Sequence, residues 1–359
     1  MITQKSVIIG VDVHKYSHTA VALDSFGQEK GRMEFSNDSL LDYATWLLSF
    51  GKKEDIIVAL EDVNRYGIHI VEDLRKQGFS MRYVPAILTE RERKKSTRRH
   101  KSDYQDAKRV GKVILSKYEE TLPARESIAN ENELKISQSL DLLLMERRDL
   151  VKQKTVLKNQ LHSFLHQYYG DHYADKFKKV FHQEAINFFK KDLSENTIET
   201  KEILASGIIR RLVRLELTER QIEDISEEIK QTSSFSKEIV ALEEGIHGCG
   251  NITAASIMAE ITTIKRFKSK DKFAMYAGVS PREHSSGRKN KMYTNPFGNR
   301  QLNRAIHSIA LSQIACKGDP QGKEYYQKKL KEGKTKLWAL RCLKRQVANK
   351  IFKILKKQG

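Results

Sequence analysis

Four acidic residues in the first third of the chain stand where a fold can gather them. Asp12 follows the apolar run Val7–Val11, Glu61 follows the apolar run Ile56–Leu60, and Asp103 and Asp106 lie three residues apart in Lys101-Ser102-Asp103-Tyr104-Gln105-Asp106-Ala107. Residues at i and i+3 share one face of a helix start, and acids at the ends of two strands meet if those strands are neighbours. Converging carboxylates repel one another unless a cation lies between them, and hard oxygen donors suit Mg2+, with Mn2+ as the alternative. Two such ions roughly 4 Å apart would activate an attacking oxygen and stabilise a leaving one in phosphodiester cleavage. The expectation is a divalent-metal site in which Asp12, Glu61, Asp103 and Asp106 are ligands and catalytic residues. Strand-then-aspartate also opens actin-like ATPases and sugar kinases. Those need glycine and hydroxyl residues next, whereas Asp12 is followed by Val13-His14-Lys15-Tyr16 and no glycine-rich phosphate loop appears later.

Three further stretches bear on phosphate chemistry. Arg91 to Lys101 is a dense basic run, and Arg98, Arg99 and Lys101 beside the acids make a natural phosphate clamp. Gly248-Cys249-Gly250, ahead of the small residues Thr253 to Ser256, is similar to a helix-hairpin-helix turn, in which glycines let backbone N–H groups approach a phosphate. Ser286 precedes Gly287 in the basic loop Arg282-Glu283-His284-Ser285-Ser286-Gly287-Arg288-Lys289. Its hydroxyl is free to meet a phosphate there, although a serine before a glycine is by itself most simply a turn.

The elements that must hold these residues are legible in the periodicity. Apolar or β-branched runs predict strands at Val7–Val11, Thr19–Leu23, Arg32–Phe35, Ile56–Leu60 and Met81–Val84, with helices carrying Leu40 to Leu48 and Ile68 to Gln77. The order β-β-β-α-β-α-β, with two long strands each ending on an acid, is that of an α/β ribonuclease-H-like domain. Farther on, Ile136, Leu140, Leu143, Leu150, Leu157, Leu161 and Phe164 recur at helical spacing, as do Ile208, Leu212, Leu215, Ile222, Ile225 and Ile229. Two long helices joined by an irregular segment are expected, forming an antiparallel, coiled-coil-like hairpin. The first stripe is interrupted by Arg147 and Lys154, with Arg148, Lys152 and Lys158 nearby. The remainder reads as a compact α-rich unit, ending in a basic helix with Leu337, Leu340, Leu343, Val347, Ile351 and Ile354.

The 359 residues are 39% apolar and 31% charged, with a formal net charge of +19. Such an excess repels itself, and a polyanionic partner is the simplest reason to carry it. Cys249, Cys316 and Cys342 are sparse and unpaired in sequence, which argues against a disulfide framework or zinc ribbon and fits a reducing compartment. No stretch approaches the ~20 apolar residues of a membrane span, and the opening apolar run is too short for a signal peptide. A cytoplasmic, nucleoid-associated protein without membrane partners is expected.

With these residues in view, the chain resembles the DEDD-type insertion-sequence transposases of the insertion sequence 110 family, almost end to end. Ile9-Gly10-Val11-Asp12-Val13-His14-Lys15 is similar to the family's opening motif, Leu60-Glu61 through Gly67 to its second acid, and Lys101-Ser102-Asp103 with Asp106-Ala107 to its paired third and fourth. Gly248 through Ala254 is similar to its glycine turn, Phe267–Gly278 with Pro281–Gly287 to its serine motif, and Gly298–Arg304 to the segment that follows. The pattern departs at Val279, where leucine is usual, and at Asn303, where arginine is common.

The resemblance implies a RuvC-like metal-binding domain over residues 1–125, a helical coiled-coil spacer over 126–240 and a C-terminal transposase domain over 241–359. It implies an enzyme that excises an element as a circle and inserts it into double-stranded target DNA, guided by a structured bridge RNA. The serine before glycine, Ser286, is then the nucleophile that forms a phosphoserine link, facing Mg2+ held by the acids in a dimer of dimers. Arg282, Arg288 and Lys289 would stabilise charge on the attacked phosphate. Gly248, Gly250, Arg300 and Arg304 become DNA contacts, and Arg147, Arg148, Lys152 and Lys158 become candidates for the RNA backbone. Two alternatives stay open: a RuvC-like structure-specific endonuclease that uses water rather than serine, and a nucleic-acid-binding protein without activity.

Overall fold

The computed structural model describes residues 2–61, 66–95, 102–196, 198–286, 289–293 and 298–358. Strands β1 (Val7–Val13), β2 (His18–Leu23) and β3 (Glu29–Phe35) form a meander, followed by α1 (Leu40–Leu48), β4 (Ile56–Leu60), α2 (Ile68–Lys76), β5 (Ser80–Tyr83), α3 (Ala86–Lys94), α4 (Asp103–Lys117) and the short β6 (Leu122–Pro123). The sheet order is β3-β2-β1-β4-β5-β6, with β1 antiparallel to β2 and parallel to β4, and β4 parallel to β5. The expected strands and helices are therefore all present, each within a few residues of its predicted bounds.

Both faces of the central strands are covered, which is why they read as continuous apolar runs rather than alternating ones. The period of two sorts their residues. Ile9, Val11, Ala20, Ala22, Val58 and Leu60 point to one face, under Tyr43 and Leu47 of α1 and Ile70 and Leu74 of α2. Ile8, Ile57 and Ala59 point to the other, under Val110, Val113 and Ile114 of α4. Val21 and Leu23 of β2 join Ala107 on that same side.

Helix α4 presses unusually close to the sheet. A methyl group on Gly10 would lie 2.1 Å from the Ala107 carbonyl oxygen and 2.5 Å from the Gly111 nitrogen, so only glycine fits where β1 passes beneath the helix. The neighbour that would have to yield is backbone rather than a flexible side-chain tip. Gly10→Ala is expected to lower the melting temperature by roughly 2–12 °C, given overpacking costs of about 1–3 kcal/mol and about 2–4 °C per kcal/mol for a domain this large. Thermal unfolding followed by circular dichroism measures it, and an unchanged midpoint would show that α4 can lift without cost.

Beyond the sheet, α5 (Glu131–Tyr169) runs 39 residues from a capping box between Asn130 and Glu133. After α6 (Gln183–Glu195), α7 (Glu202–Ser234) returns along it. The pairing is antiparallel: Leu140 and Leu144 of α5 share a core with Ile225 and Ile229 of α7, while Leu161 and Leu165 share another with Ile208, Leu212 and Leu215. The joining segment is not irregular, as expected, but carries α6, whose Ala185, Ile186, Phe189 and Leu193 close the hairpin tip. Its apolar stripe is only thirteen residues long and lies among lysines, which hid it.

The C-terminal unit contains α8 (Lys237–Gly245), α9 (Asn251–Ile261), α10 (Lys270–Tyr276), the hairpin β7 (Arg282–Ser286) and β8 (Lys289–Tyr293), α11 (Arg300–Ile314), α12 (Pro320–Lys331) and α13 (Lys336–Gln358). Its core, centred on Phe267, Phe273, Ile306, Val347 and Ile351, is continuous with the near end of the helical hairpin. It docks on the β6 edge of the sheet, where Arg266 Nε donates to the Pro123 carbonyl at 3.2 Å and Lys268 pairs with Glu119 at 3.1 Å. No helix among the described residues is long and apolar enough to cross a membrane.

Candidate active site

The parallel register sets Val11 beside Leu60, so the next residue on each strand, Asp12 and Glu61, emerges at the same edge of the sheet. Glu61 stands just past β4 as expected. Asp12 is still inside β1, paired with Thr19 of β2, rather than past the strand's end. Asp103 opens α4 and Asp106 completes its first turn, behind an N-cap in which Ser102 Oγ accepts from the Gln105 amide. The Gly10 crossing carries this helix start over β1. Two carboxylates at a helix N-terminus also sit favourably in the helix dipole.

The closest grouping of donors is not the four acids. Among the described residues, Asp12, His14 and Asp103 each place one donor atom within 4.8 Å of the others. The His14 ring nitrogen Nε2 lies 3.1 Å from Asp12 Oδ2 and 3.3 Å from Asp103 Oδ1. Glu61 and Asp106 belong to no such tight group, yet they lie within electrostatic reach. Burial pushes the Asp12 carboxyl above its ordinary value, His14 opposes this, and the negative charges of Asp106 and Asp103 push it further up. Glu61 is likewise raised, first by burial, against a side-chain hydrogen bond from Thr89, and then by Asp12 and Asp106. A site that raises two of its own carboxylates is short of positive charge. That deficit, with carboxylate oxygens facing the same space, fits a divalent cation such as Mg2+ or Mn2+; the imidazole beside them is a softer donor that Mn2+ accepts more readily than Mg2+.

Three residues of this site escaped the sequence reading. His14 had a signal in its spacing: it stands two residues after Asp12, just beyond the end of β1, where the alternation of the strand would carry it to the same face. Arg109 donates to Asp106 from a buried position, one turn farther along α4. Arg93, on α3, pairs with Glu90 at 2.7 Å and also feels the charge of Asp106. These arginines place positive charge beside Asp106, whereas among the described residues no arginine is one of the charges acting on Asp12 or Glu61. Arg98, Arg99, Lys101 and Arg288 lie outside the described residues.

The serine stretch, read as a loop, forms a hairpin instead. Ser286 is the last residue of β7 and pairs with Lys289 of β8, while Arg282 pairs with Tyr293 at the other end. The root of the hairpin is tightly closed. Gly278 has φ +67°, and a methyl group on Gly298 would lie 2.1 Å from the Gly278 Cα. Across this contact the Asn299 amide donates to the Tyr276 carbonyl at 2.6 Å, and Asn303 Nδ2 donates to the Ala277 carbonyl at 2.8 Å. Asn303, the departure from the family pattern, therefore ties the start of α11 to the end of α10. Arg300 and Arg304 are exposed on the first turns of α11.

The glycine turn joins α8 to α9 through Ile246–Gly250. Gly248 has φ +82°, and a side chain on it would meet Ser312 of α11 at 2.6 Å, so packing alone requires glycine there. Gly250 caps α9 and has open space around it, which leaves that helix start approachable. Of the four basic residues assigned to RNA, two point inward across the helical hairpin. Arg147 Nε donates to Ser226 Oγ at 2.8 Å, and Lys158, with Lys154, holds Glu219 at 3.1 Å. Among the described residues Lys152 pairs with Asp149 on the exposed face, at 2.8 Å. Arg148, half-buried, faces the charges of Asp141 and Glu260.

An acid cluster fed by a mixed sheet, followed by a helical hairpin and a serine-bearing α-rich unit, has counterparts among known proteins. A family model of DEDD transposases of the IS110 type, described as Transposase, matches residues 9–170. A second, described as Transposase IS116/IS110/IS902 family, matches residues 242–327. The chain is 35% identical over 111 residues to the Insertion element IS110 uncharacterized 43.6 kDa protein of Streptomyces coelicolor, an alignment covering 30% of this chain and 27% of that protein. It is 27% identical over 152 residues to the Transposase for insertion sequence element IS1111A of Coxiella burnetii, covering 42% of this chain and 40% of the relative. The chain thus aligns with well under half the length of these two relatives. The two family models together span more than half of its residues, and the chain belongs to the IS110 family of DEDD transposases.

Proposed function

We propose that the protein is a transposase that cuts and rejoins DNA, with Asp12, Glu61, Asp103 and Asp106 holding Mg2+ or Mn2+ and Ser286 acting as nucleophile. The reading rests above all on one observation: the sheet register and the Gly10 crossing bring Asp12 and Asp103 to His14 at one edge, beside Glu61 and Asp106. The sheet order, an antiparallel β3-β2-β1 meander continued by the parallel strands β4 and β5, supports a RuvC-like domain over residues 1–125. The antiparallel pair α5 and α7 is the coiled-coil spacer over 126–240, and residues 241–359 form the transposase domain.

In this mechanism the acids and His14 hold the cation, which when bound supplies Lewis-acid polarisation of the phosphate. Ser286 Oγ attacks the phosphorus of the target strand. The new P–O bond to serine forms as the bond to a deoxyribose oxygen breaks; the serine proton departs and the leaving oxygen takes one up. Rejoining reverses these steps on a different strand end, so the phosphodiester energy is conserved and no nucleotide is consumed. Arg282, Arg288 and Lys289 flank the serine and would balance charge on the phosphate. Ser286 arrives from another subunit, in a dimer of dimers. The net charge of +19 suits a protein that also carries a structured guide RNA, with Lys152 and Arg148 on α5 as contacts.

The test uses the whole protein with DNA carrying the element's joined ends, a target DNA and RNA transcribed from the element's flanks. Recombinant junctions are expected only with Mg2+ or Mn2+ and only with the RNA. Junctions that persist after ribonuclease treatment would remove the guide from the proposal. Failure to form junctions with either metal, despite intact RNA, would remove the transposase itself.

A further inference from the structure

Beside the root of the serine hairpin lies a cavity of about 520 Å3, walled by residues 278–281 on one side, by Arg300, Asn303 and His307 of α11 on a second, and by α13 on a third. The α13 wall, residues 337–345, lies beyond the span matched by either family model. Its composition is unusual for a helical core. Trp338 and Tyr325 supply flat aromatic surface, Val279 and Leu340 are apolar, and among the described residues no Asp or Glu lines it.

The cations here are poorly neutralised. Arg345 is tied to Asp271 and to Ser280 Oγ, but Arg300, Arg341 and Lys344 have no carboxylate partner among the described residues. Lys344 Nζ is half-buried and donates to Asn303 Oδ1 at 2.6 Å, a neutral acceptor. Burial and the neighbouring Arg341 both push its ammonium below the ordinary lysine value, the mark of a cation without its counter-ion. Arg341 lies over the Trp338 ring, 4.6 Å from its centre. Indole and guanidinium planes are both surfaces on which nucleobases stack. Three unbalanced cations a few residues away call for phosphate.

We propose that this cavity binds one unpaired nucleotide of the DNA strand being processed, its base against Trp338 and its phosphate against Lys344, Arg341 and Arg300. Residues 280–281 run directly into β7, and Arg300 follows the return of β8, so a nucleotide seated here lies at the foot of the strand that ends in Ser286. A base drawn out of the duplex would hold the strand in register with the serine. The volume suits a nucleotide and excludes a duplex, whose stacked bases cannot reach a concave wall. The inference depends on the DNA-processing reading, but its test is binding alone and needs no cleavage.

The chain has two tryptophans, Trp46 in the sheet domain and Trp338. In a Trp46→Phe protein the indole emission therefore reports on the cavity. A short single-stranded DNA is expected to quench it, and the same strand with abasic sites to quench it at least several-fold less. In anisotropy measurements Trp338→Ala should weaken binding of that strand about tenfold, with Trp338→Phe recovering most of the loss. Lys344→Gln should weaken binding and reduce the slope of log affinity against log salt by about one. Three results would overturn the proposal. The first is equal quenching by the abasic strand, meaning phosphate alone binds. The second is preferential quenching by RNA of the same sequence, meaning a guide-RNA site. The third is unchanged affinity in Trp338→Ala protein of unchanged melting temperature. If strand cleavage fails while quenching occurs as described, the cavity stands and the catalytic reading falls.

Discussion

Ser286→Ala protein is expected to lose DNA cleavage by at least about a thousandfold and to form no covalent protein–DNA adduct, with melting temperature and metal response unchanged. A hydroxyl is a weak nucleophile until activated, and nothing else in the hairpin can replace the oxygen that becomes bonded to phosphorus. Ser285, its neighbour, is the control. The nucleophile is assigned to the serine that precedes glycine, so Ser285→Ala should retain most activity. Denaturing gels of radiolabelled DNA report cleavage and adduct together. Cleavage that persists in Ser286→Ala would favour a nuclease that hydrolyses DNA with water. A retained adduct in Ser286→Ala and its loss in Ser285→Ala would shift the nucleophile by one residue.

Asp12→Asn has two expected effects of opposite sign. Cleavage should fall by about a thousandfold or more, because the substitution removes a charged donor from the centre of the cluster. The metal-free protein should nevertheless become more stable, by a few degrees in melting temperature. The reason is electrostatic. Burial and the charges of Asp106 and Asp103 hold the Asp12 carboxyl above its ordinary value, which means its ionised form is disfavoured by folding. A carboxylate raised in the folded state contributes stability that is complete below its unfolded pKa, about 4, and is lost as pH rises through the folded value. At neutral pH the wild-type protein carries that penalty and a bound cation relieves it; the asparagine never incurs it. Wild-type melting temperature should therefore rise with added Mg2+ or Mn2+, and that of Asp12→Asn should start higher and respond less. A variant that melts lower than wild type without metal would mean Asp12 is held by favourable partners rather than by a missing cation.

The sheet domain was legible because its strands are buried on both faces and its helices are amphipathic, so periodicity alone separates them. Val7 to Val11 and Ile56 to Leu60 read as central strands, and the acids that follow those runs, Asp12 and Glu61, came with them. The i, i+3 spacing likewise put Asp103 and Asp106 on one face of a helix start. The long stripes in α5 and α7 announced a helical hairpin for the same reason. The overall charge and the order of motifs pointed to nucleic acid and to a family.

Tertiary structure decided what periodicity cannot encode: which side chains meet. That His14 rather than Glu61 completes the tightest donor group depends on the height at which α4 crosses β1, and that height is set by the missing side chain of Gly10. Arg147 and Lys154 interrupt an apolar stripe in the sequence, with Lys158 nearby, yet whether a cation there faces solvent or a partner depends on the opposite helix, which offers Ser226 and Glu219. The hairpin under Ser286 needs Gly278 and Gly298 in contact twenty residues apart, a closure that leaves no local pattern. Local sequence determines the elements, because backbone and hydrophobic preferences act over a few residues. Sites are made by contacts between distant segments, and those are fixed only by packing.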